Sequence, residues 1–175
     1  HSDGGCLAAI DQRESRAFLL QITDDFTLDA FEQVLPVLPK DCIISDIASV
    51  KTGLKEFYEE CGFRYVSTHP MFGPTFANLD KLSSENAIII CEGDYMGKIF
   101  FKDLYQGLGL NIFEYTFEEQ AIINVIKENP TIKQEEIAGK INKSVRTVKT
   151  RMNEMQDKGL ITRVNGKRNG EWIIL

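Results

Sequence analysis

Residues 128–175 read ENPTIKQEEIAGKINKSVRTVKTRMNEMQDKGLITRVNGKRNGEWIIL, and their order of local signals decides the architecture of this end of the chain. Just ahead, EEQAIINVIKEN (118–129) has apolar residues at helical spacing and stops before Pro130. Thr131 precedes a short helical run, KQEEIAGKI (133–141), and Asn142 to Ser144 make a tight turn. VRTVKTRMNEMQDK (145–158) predicts a third helix that Gly159 closes. LITRV (160–164) and EWIIL (171–175) read as strands around NGKRNG, whose Asn-Gly pairs favour the positive φ of a hairpin turn. Helix, helix, turn, helix and hairpin is the order of a winged helix, which lays its third helix in the major groove of DNA.

On that third helix Val145, Val148, Met152 and Met155 mark one apolar stripe, ordinary core, while Arg146, Thr147, Lys149, Thr150 and Arg151 face elsewhere. Ser144, Arg146, Thr147 and Thr150 sit on the early turns, within reach of base edges or phosphates, and Lys143 with the helix N-terminus can also meet phosphate. Arg146 is the first candidate for a base contact. Lys167 and Arg168 at the hairpin tip are placed for the backbone or the minor groove. Trp172 reads as the core plug beneath the wing rather than a stacking platform.

The charge agrees with such a division. Lys and Arg number 9 against 18 Asp and Glu in residues 1–116, but 11 against 8 in residues 117–175. An acidic first half argues against nucleic acid there, and a basic end on an acidic body suits a polyanion. At 175 residues two small cores are expected. Cysteines 6, 42, 61 and 91 show no close pairing and read as reduced, buried small hydrophobes. Neither a leader pattern nor an apolar run of about eighteen residues is present, so a soluble, cytoplasmic protein off the membrane is expected. No His, Cys, Asp and Glu cluster has ligand spacing, so no metal is expected. The doubled acids Asp24–Asp25, Glu59–Glu60 and Glu135–Glu136 read as solvated surface.

Upstream, residues 1–16 lack periodicity and are left unassigned. AFLLQIT (17–23) reads as a buried strand, and LDAFEQVLPVL (28–38) as a helix with Thr27 as N-cap, ended by Pro36 and Pro39. CIISDIAS (42–49) is a second strand, after which Ser49 is expected to cap a helix over VKTGLKEFYEEC (50–61) with Val50, Leu54, Phe57, Tyr58 and Cys61 on one face. FRYVST (63–68) is a strand and HPMFGPTFANLDKLSS (69–84) a loop, followed by strand NAIIICEG (86–93), helix YMGKIFFKDLYQGLG (95–109) and strand LNIFEYTF (110–117). Alternating strands and helices predict a parallel α/β sheet, whose ligands bind beyond the carboxyl ends of strands, where DIAS and THPMFGP fall.

DCIISDIASVKTGL (41–54) and YVSTHPMFGPTFANL (65–79), with FTLDAFEQVLPVLP (26–39) before them and NAIIICEG to EYTF after, resemble the prephenate dehydrogenase family, NAD-dependent enzymes of tyrosine biosynthesis. The likeness spans residues 17–117 and implies a partial Rossmann-like parallel sheet. It also implies that His69 hydrogen-bonds the ring hydroxyl of prephenate and that Ser49 orients His69 near the nicotinamide. Asp46, Ser49 and Lys51 of the D-x-x-S-V-K run are the cofactor-side residues it implies. The chemistry suits these types: hydride leaves the carbinol carbon as a base withdraws the hydroxyl proton, decarboxylation makes the ring aromatic, and a His titrates near working pH.

No G-x-G-x-x-G occurs in the sequence; Gly107 and Gly109 follow a helix and precede a strand, the reverse of the order that cradles a pyrophosphate. A first βα unit and the family's helical second domain, which supplies its dimer, are expected to be missing, with a winged helix in place of the latter. Residues 118–175 resemble the winged-helix tail of bacterial transcription regulators that carry an ATPase-like or Schlafen-related domain upstream, chiefly in SVRTVK and KGLI-RV. That resemblance implies double-stranded DNA as partner. Two functions stay open: an incomplete prephenate dehydrogenase-like domain joined to a DNA-binding tail, or a regulator whose α/β domain senses an aromatic metabolite or mediates homodimerisation.

Overall fold

The computed structural model describes residues 6–12, 15–21, 27–71, 85–166 and 170–175, which divide into two compact units, 1–117 and 118–175. The first unit runs β1 (Cys6–Gln12), β2 (Ser15–Gln21), α1 (Thr27–Val34), β3 (Ile43–Asp46), α2 (Leu54–Cys61), β4 (Arg64–Pro70), β5 (Asn86–Gly93), α3 (Tyr95–Gly107) and β6 (Asn111–Tyr115). Its six strands lie in chain order. The expected parallel pairing links β2 to β3, β3 to β4, and β5 to β6.

Two antiparallel joins make the sheet mixed. β5 starts at the end of the sheet where β4 finishes, so the pair runs antiparallel with Pro70 opposite Ala87 and needs no crossover. The other join is β1, in the stretch left unassigned from sequence: it pairs with β2 from Cys6 opposite Gln21 to Gln12 opposite Ser15. A strand specified by its neighbour leaves little period of its own.

Alternation along the strands sends Ile43, Val66, Ala87 and Ile89 to the face covered by Phe101 and Tyr105 of α3, with Leu110 beside them. The opposite face is covered by α1 and α2, where the Phe31 ring meets Phe57 at 5.3 Å and Tyr58 at 5.8 Å. Phe31, Leu54 and Tyr58 are fully buried, and truncating a side chain of that size in a core costs about 3–5 kcal/mol.

Three local expectations change. α1 begins at Thr27 itself, and its end passes through a 3-10 turn, Leu35–Val37, before the chain turns at Pro39. α2 starts at Leu54, with Gly53 at φ 75° in the cap position, so Ser49 is not its cap and Val50 lies exposed. The reason is Lys51: its side chain is drawn inward to Asp46, which holds residues 47–52 out of helix. β4 runs on through His69 and Pro70, which places His69 on a strand rather than in a loop; Phe72 to Ser84 of the expected loop lie outside the described residues.

The second unit holds α4 (Phe117–Glu128, its first residue grouped with the first unit), α5 (Gln134–Lys140), α6 (Val145–Asp157), β7 (Ile161–Val164) and β8 (Glu171–Ile174). Of the stripe expected from spacing, Val148, Met152 and Met155 are buried and Val145, at the first turn, is half-buried. Trp172 is buried too; its Nε1 donates to the Ile132 carbonyl at 3.3 Å and its backbone N–H to Pro130 at 2.8 Å, tying β8 to the turn before α5. Asn165 and Gly166 both take positive φ, as the hairpin requires. Among the described residues no helix is long and apolar enough to cross a membrane, and no group of His, Cys, Asp and Glu could hold a metal.

Candidate functional site

β3 and β4 are parallel, so their carboxyl ends open on the same side with Asp46 opposite Ser67. Asp46 is fully buried, and its carboxylate is saturated. Oδ1 accepts from the Lys51 ammonium at 2.5 Å and the Ala48 N–H at 3.0 Å, and Oδ2 accepts from the Tyr58 hydroxyl at 2.6 Å. Lys51 also donates to the Thr68 carbonyl at 2.7 Å. Thr68 Oγ1 in turn donates to the Asp46 carbonyl at 3.3 Å and lies 2.8 Å from the Tyr105 hydroxyl. This network runs from α2 through the sheet to α3.

Its effect is positional. Ala48 and Lys51 flank Ser49, and Thr68 precedes His69, so the buried pair grips the backbone on both sides of one residue and directly before the other. Breaking such a pair from one side leaves an uncompensated buried charge, which costs about 3–5 kcal/mol. Ser49 and His69 themselves are only half-buried, and His69 Nδ1 lies 3.5 Å from the Ile47 carbonyl oxygen. Burial, then the Asp46 carboxylate, push the Tyr58 hydroxyl well above its ordinary pKa, and burial carries Tyr105 up to about 12 against the Thr68 hydrogen bond. Both therefore act as neutral hydroxyls. Of the residues expected on the cofactor side, Asp46 and Lys51 are buried, while Ser49, like His69, is half-buried.

Sequence reading missed Tyr58, Thr68 and Tyr105, because helical or strand spacing accounts for them as core and their polar partners are distant in the chain. It also missed Ser67, whose Oγ is buried without a partner among the described residues, beside a β4–β5 bulge between Val66 and Thr68.

In the second unit Ser144 caps α6, accepting from the Thr147 N–H at 3.1 Å, and its hydroxyl meets that of Thr147 at 2.8 Å. Lys143, Arg146, Lys149 and Thr150 are exposed beyond this cap. Lys149 pairs with Glu135 of α5 at 3.3 Å. Arg151 is drawn back onto its own unit by Glu118 at 3.1 Å and Glu154 at 2.6 Å. Lys167 and Arg168 lie outside the described residues.

A family model for the prephenate dehydrogenase nucleotide-binding domain matches residues 13–109, more than half of the chain. The chain belongs to the prephenate dehydrogenase family. A second model, winged helix-turn-helix DNA-binding, matches residues 119–162. Among solved structures, Synechocystis arogenate dehydrogenase aligns at 18% identity and TM-score 0.55, over 79% of this chain and 53% of that one. Prephenate dehydrogenase from Aquifex aeolicus aligns at 14% identity and TM-score 0.54, over 79% and 49%. A second Aquifex aeolicus structure, a complex with hydroxyphenyl propionate and NAD+, aligns at 13% and TM-score 0.51, over 81% and 63%. The chain thus spans about half to two thirds of the length of these structures, and what they share with it is the fold. A prephenate dehydrogenase-type domain is joined here to a winged helix DNA-binding domain.

Proposed function

We propose that this protein binds duplex DNA through the first half of α6, and that its prephenate dehydrogenase-type domain serves as a holder of a small aromatic ligand rather than as a complete dehydrogenase. The observation that carries the DNA reading is the exposure of Lys143, Arg146, Lys149 and Thr150 around a capped helix start, in a module of DNA-binding type. Arg146 is assigned to a base edge, with Lys143, Ser144, Thr147, Lys149 and Thr150 around it, Arg151 at the margin, and Lys167 and Arg168 of the wing on backbone or minor groove. A mobility-shift series in rising salt tests this. Arg146→Ala is expected to weaken binding by about ten-fold, within the 1–3 kcal/mol of a bidentate base contact. Unchanged affinity on all duplexes would sink the assignment.

For the α/β domain, the ligand class follows from the Aquifex aeolicus complex with hydroxyphenyl propionate. Ser49 and His69, half-buried at the ends of adjacent parallel strands, are the groups that would meet a phenol. The competing ligand is a dinucleotide. Calorimetry with 4-hydroxyphenylpropionate and with NAD+ separates the two.

The dehydrogenase reading is kept alive by the bracketing of Ser49 and His69; NADH appearing on addition of prephenate and NAD+ would favour it over the ligand holder. The protein is further read as cytoplasmic, and as a homodimer that presents two α6 helices to a two-fold site. Sedimentation of a monomer on DNA would count against the dimer.

A further inference from the structure

Along the two strands of the wing, Arg163 is the charged residue on the inward face. In β7 it follows the buried Ile161 by two residues, which puts both on one side of the strand, and its cross-strand partner is the buried Trp172. The guanidinium carbon stands 4.8 Å from the centroid of the Trp172 ring, over its face. Trp172 is itself fixed, since its indole N–H donates to Ile132 and its backbone N–H to Pro130. The ring is therefore a firm platform, and the half-buried arginine rests on it.

Gly170 gives the direction of the side chain. It stands two residues from Trp172 toward the hairpin tip, and a Cβ added there would meet the Gly166 carbonyl oxygen and lie 2.6 Å from Arg163 Nε. The arginine thus leaves β7 opposite Trp172 and runs toward the tip, through space that a residue without a side chain leaves open. Arg163 has no salt bridge among the described residues, whereas Lys149, Arg151 and Lys158 are each paired with a glutamate. Glu171, the acid of the two strands, pairs with Val164 and so belongs to the opposite face of the hairpin. Stacking uses the flat face of a guanidinium and leaves its in-plane N–H donors for an acceptor.

We infer that Arg163 is a backbone contact of the wing: stacked on Trp172 and steered past Gly170, it donates to a DNA phosphate as a preset fork. This contact rests on the proposed reading of residues 118–175 as a duplex binder, and adds to it a strand residue outside both α6 and the hairpin tip. A guanidinium already held in place loses little freedom on binding, and its fork matches two phosphate oxygens at once. Such a contact reads no base, so it sets affinity and not the choice of sequence.

The test is a salt series on the full chain, read by anisotropy with labelled duplexes of unrelated sequence. Arg163→Met keeps an apolar stem over Trp172 and removes the charge. It is expected to weaken binding about fivefold, alike on every duplex, and to flatten the salt dependence by about one ion. Trp172 emission during urea unfolding checks that the wing is still seated. If Arg163→Met does not fold, Arg163→Lys takes its place: it keeps the charge, and should leave the slope unchanged while losing about two- to threefold in affinity, because an ammonium meets phosphate as a point charge. Weaker binding by Arg163→Met at an unchanged slope would make Arg163 a strut of the wing and overturn the contact. Unchanged affinity in the variant tested, or a loss confined to one sequence, would overturn it as well. If the unmodified chain binds no duplex, the DNA reading has failed and this contact falls with it. If it binds and Arg146→Ala weakens it, while Arg163→Met moves neither affinity nor slope, the DNA reading stands and the Arg163 contact alone is wrong.

Discussion

Lys149 shows how a single residue's role depends on a partner that its own helix does not reveal. It stands among the residues expected to face DNA, yet it is paired with Glu135, whose carboxyl is held below its ordinary range first by a backbone hydrogen bond and then by Lys149. Exposed pairs of this kind add little to stability, so removing one mainly changes what the lysine can reach. Glu135→Gln is expected to tighten DNA binding about two- to fivefold and to steepen its salt dependence by about one ion, since it frees a cation and deletes an anion close to phosphate. Equal affinity and slope for both proteins in a salt titration would count against a phosphate role for Lys149. At this scale the sequence was informative wherever function follows spacing along one element: Arg146, Thr150 and the buried Val148, Met152 and Met155 are separated by the 3.6-residue period alone. It was silent on Tyr58 with Asp46 and on Arg151 with Glu118, because those partners are distant in the chain and meet only in the fold.

Elements obey the same division. α3, α6 and strands β3, β5 and β6 declare themselves by period and by glycine stops, whereas β1 is set by pairing with β2, and the start of α2 is set by the inward pull on Lys51. The β4–β5 join is another feature fixed by packing, and Gly93 is its test. Its φ of 113° and the 2.6 Å approach to the Tyr65 carbonyl leave no room for a side chain, and the obstructing atom is backbone. Gly93→Ala is therefore expected to cost about 2–3 kcal/mol in urea unfolding. Gly107→Ala, at a helical position with nothing within 4 Å of an added Cβ, should be neutral or stabilising by up to about 1 kcal/mol. If the two alanine variants unfold at the same urea concentration, the corner is not the constraint described.

For the whole molecule, the useful fact is that the aromatic reporters are divided between the units. All five tyrosines lie in residues 1–117 and the single tryptophan, Trp172, in residues 118–175, so absorbance follows one unit and fluorescence the other. Tyr105 is raised to about 12, and Tyr58 is raised as well, both chiefly by burial. A folded-state pKa above the unfolded value means that the folded state holds its proton more tightly. The associated stability is thus complete below about pH 10, the ordinary tyrosine value, and is lost as pH rises through the folded value. The α/β unit should accordingly weaken between pH 10 and about 12, with Tyr58 and Tyr105 ionising late and together with loss of its structure, and Tyr65, raised by burial and then by Glu92 and Glu59, ionising late as well. Tyr105→Phe should remove one of these late ionisations, at the cost of its hydrogen bond to Thr68. Absorbance near 295 nm, recorded beside Trp172 emission and circular dichroism, reads all three events. Five tyrosines titrating as one group near pH 10 with the circular dichroism unchanged would show that the hydroxyl network is not closed to water, and the positioning role assigned to it around Ser49 and His69 would fall with it.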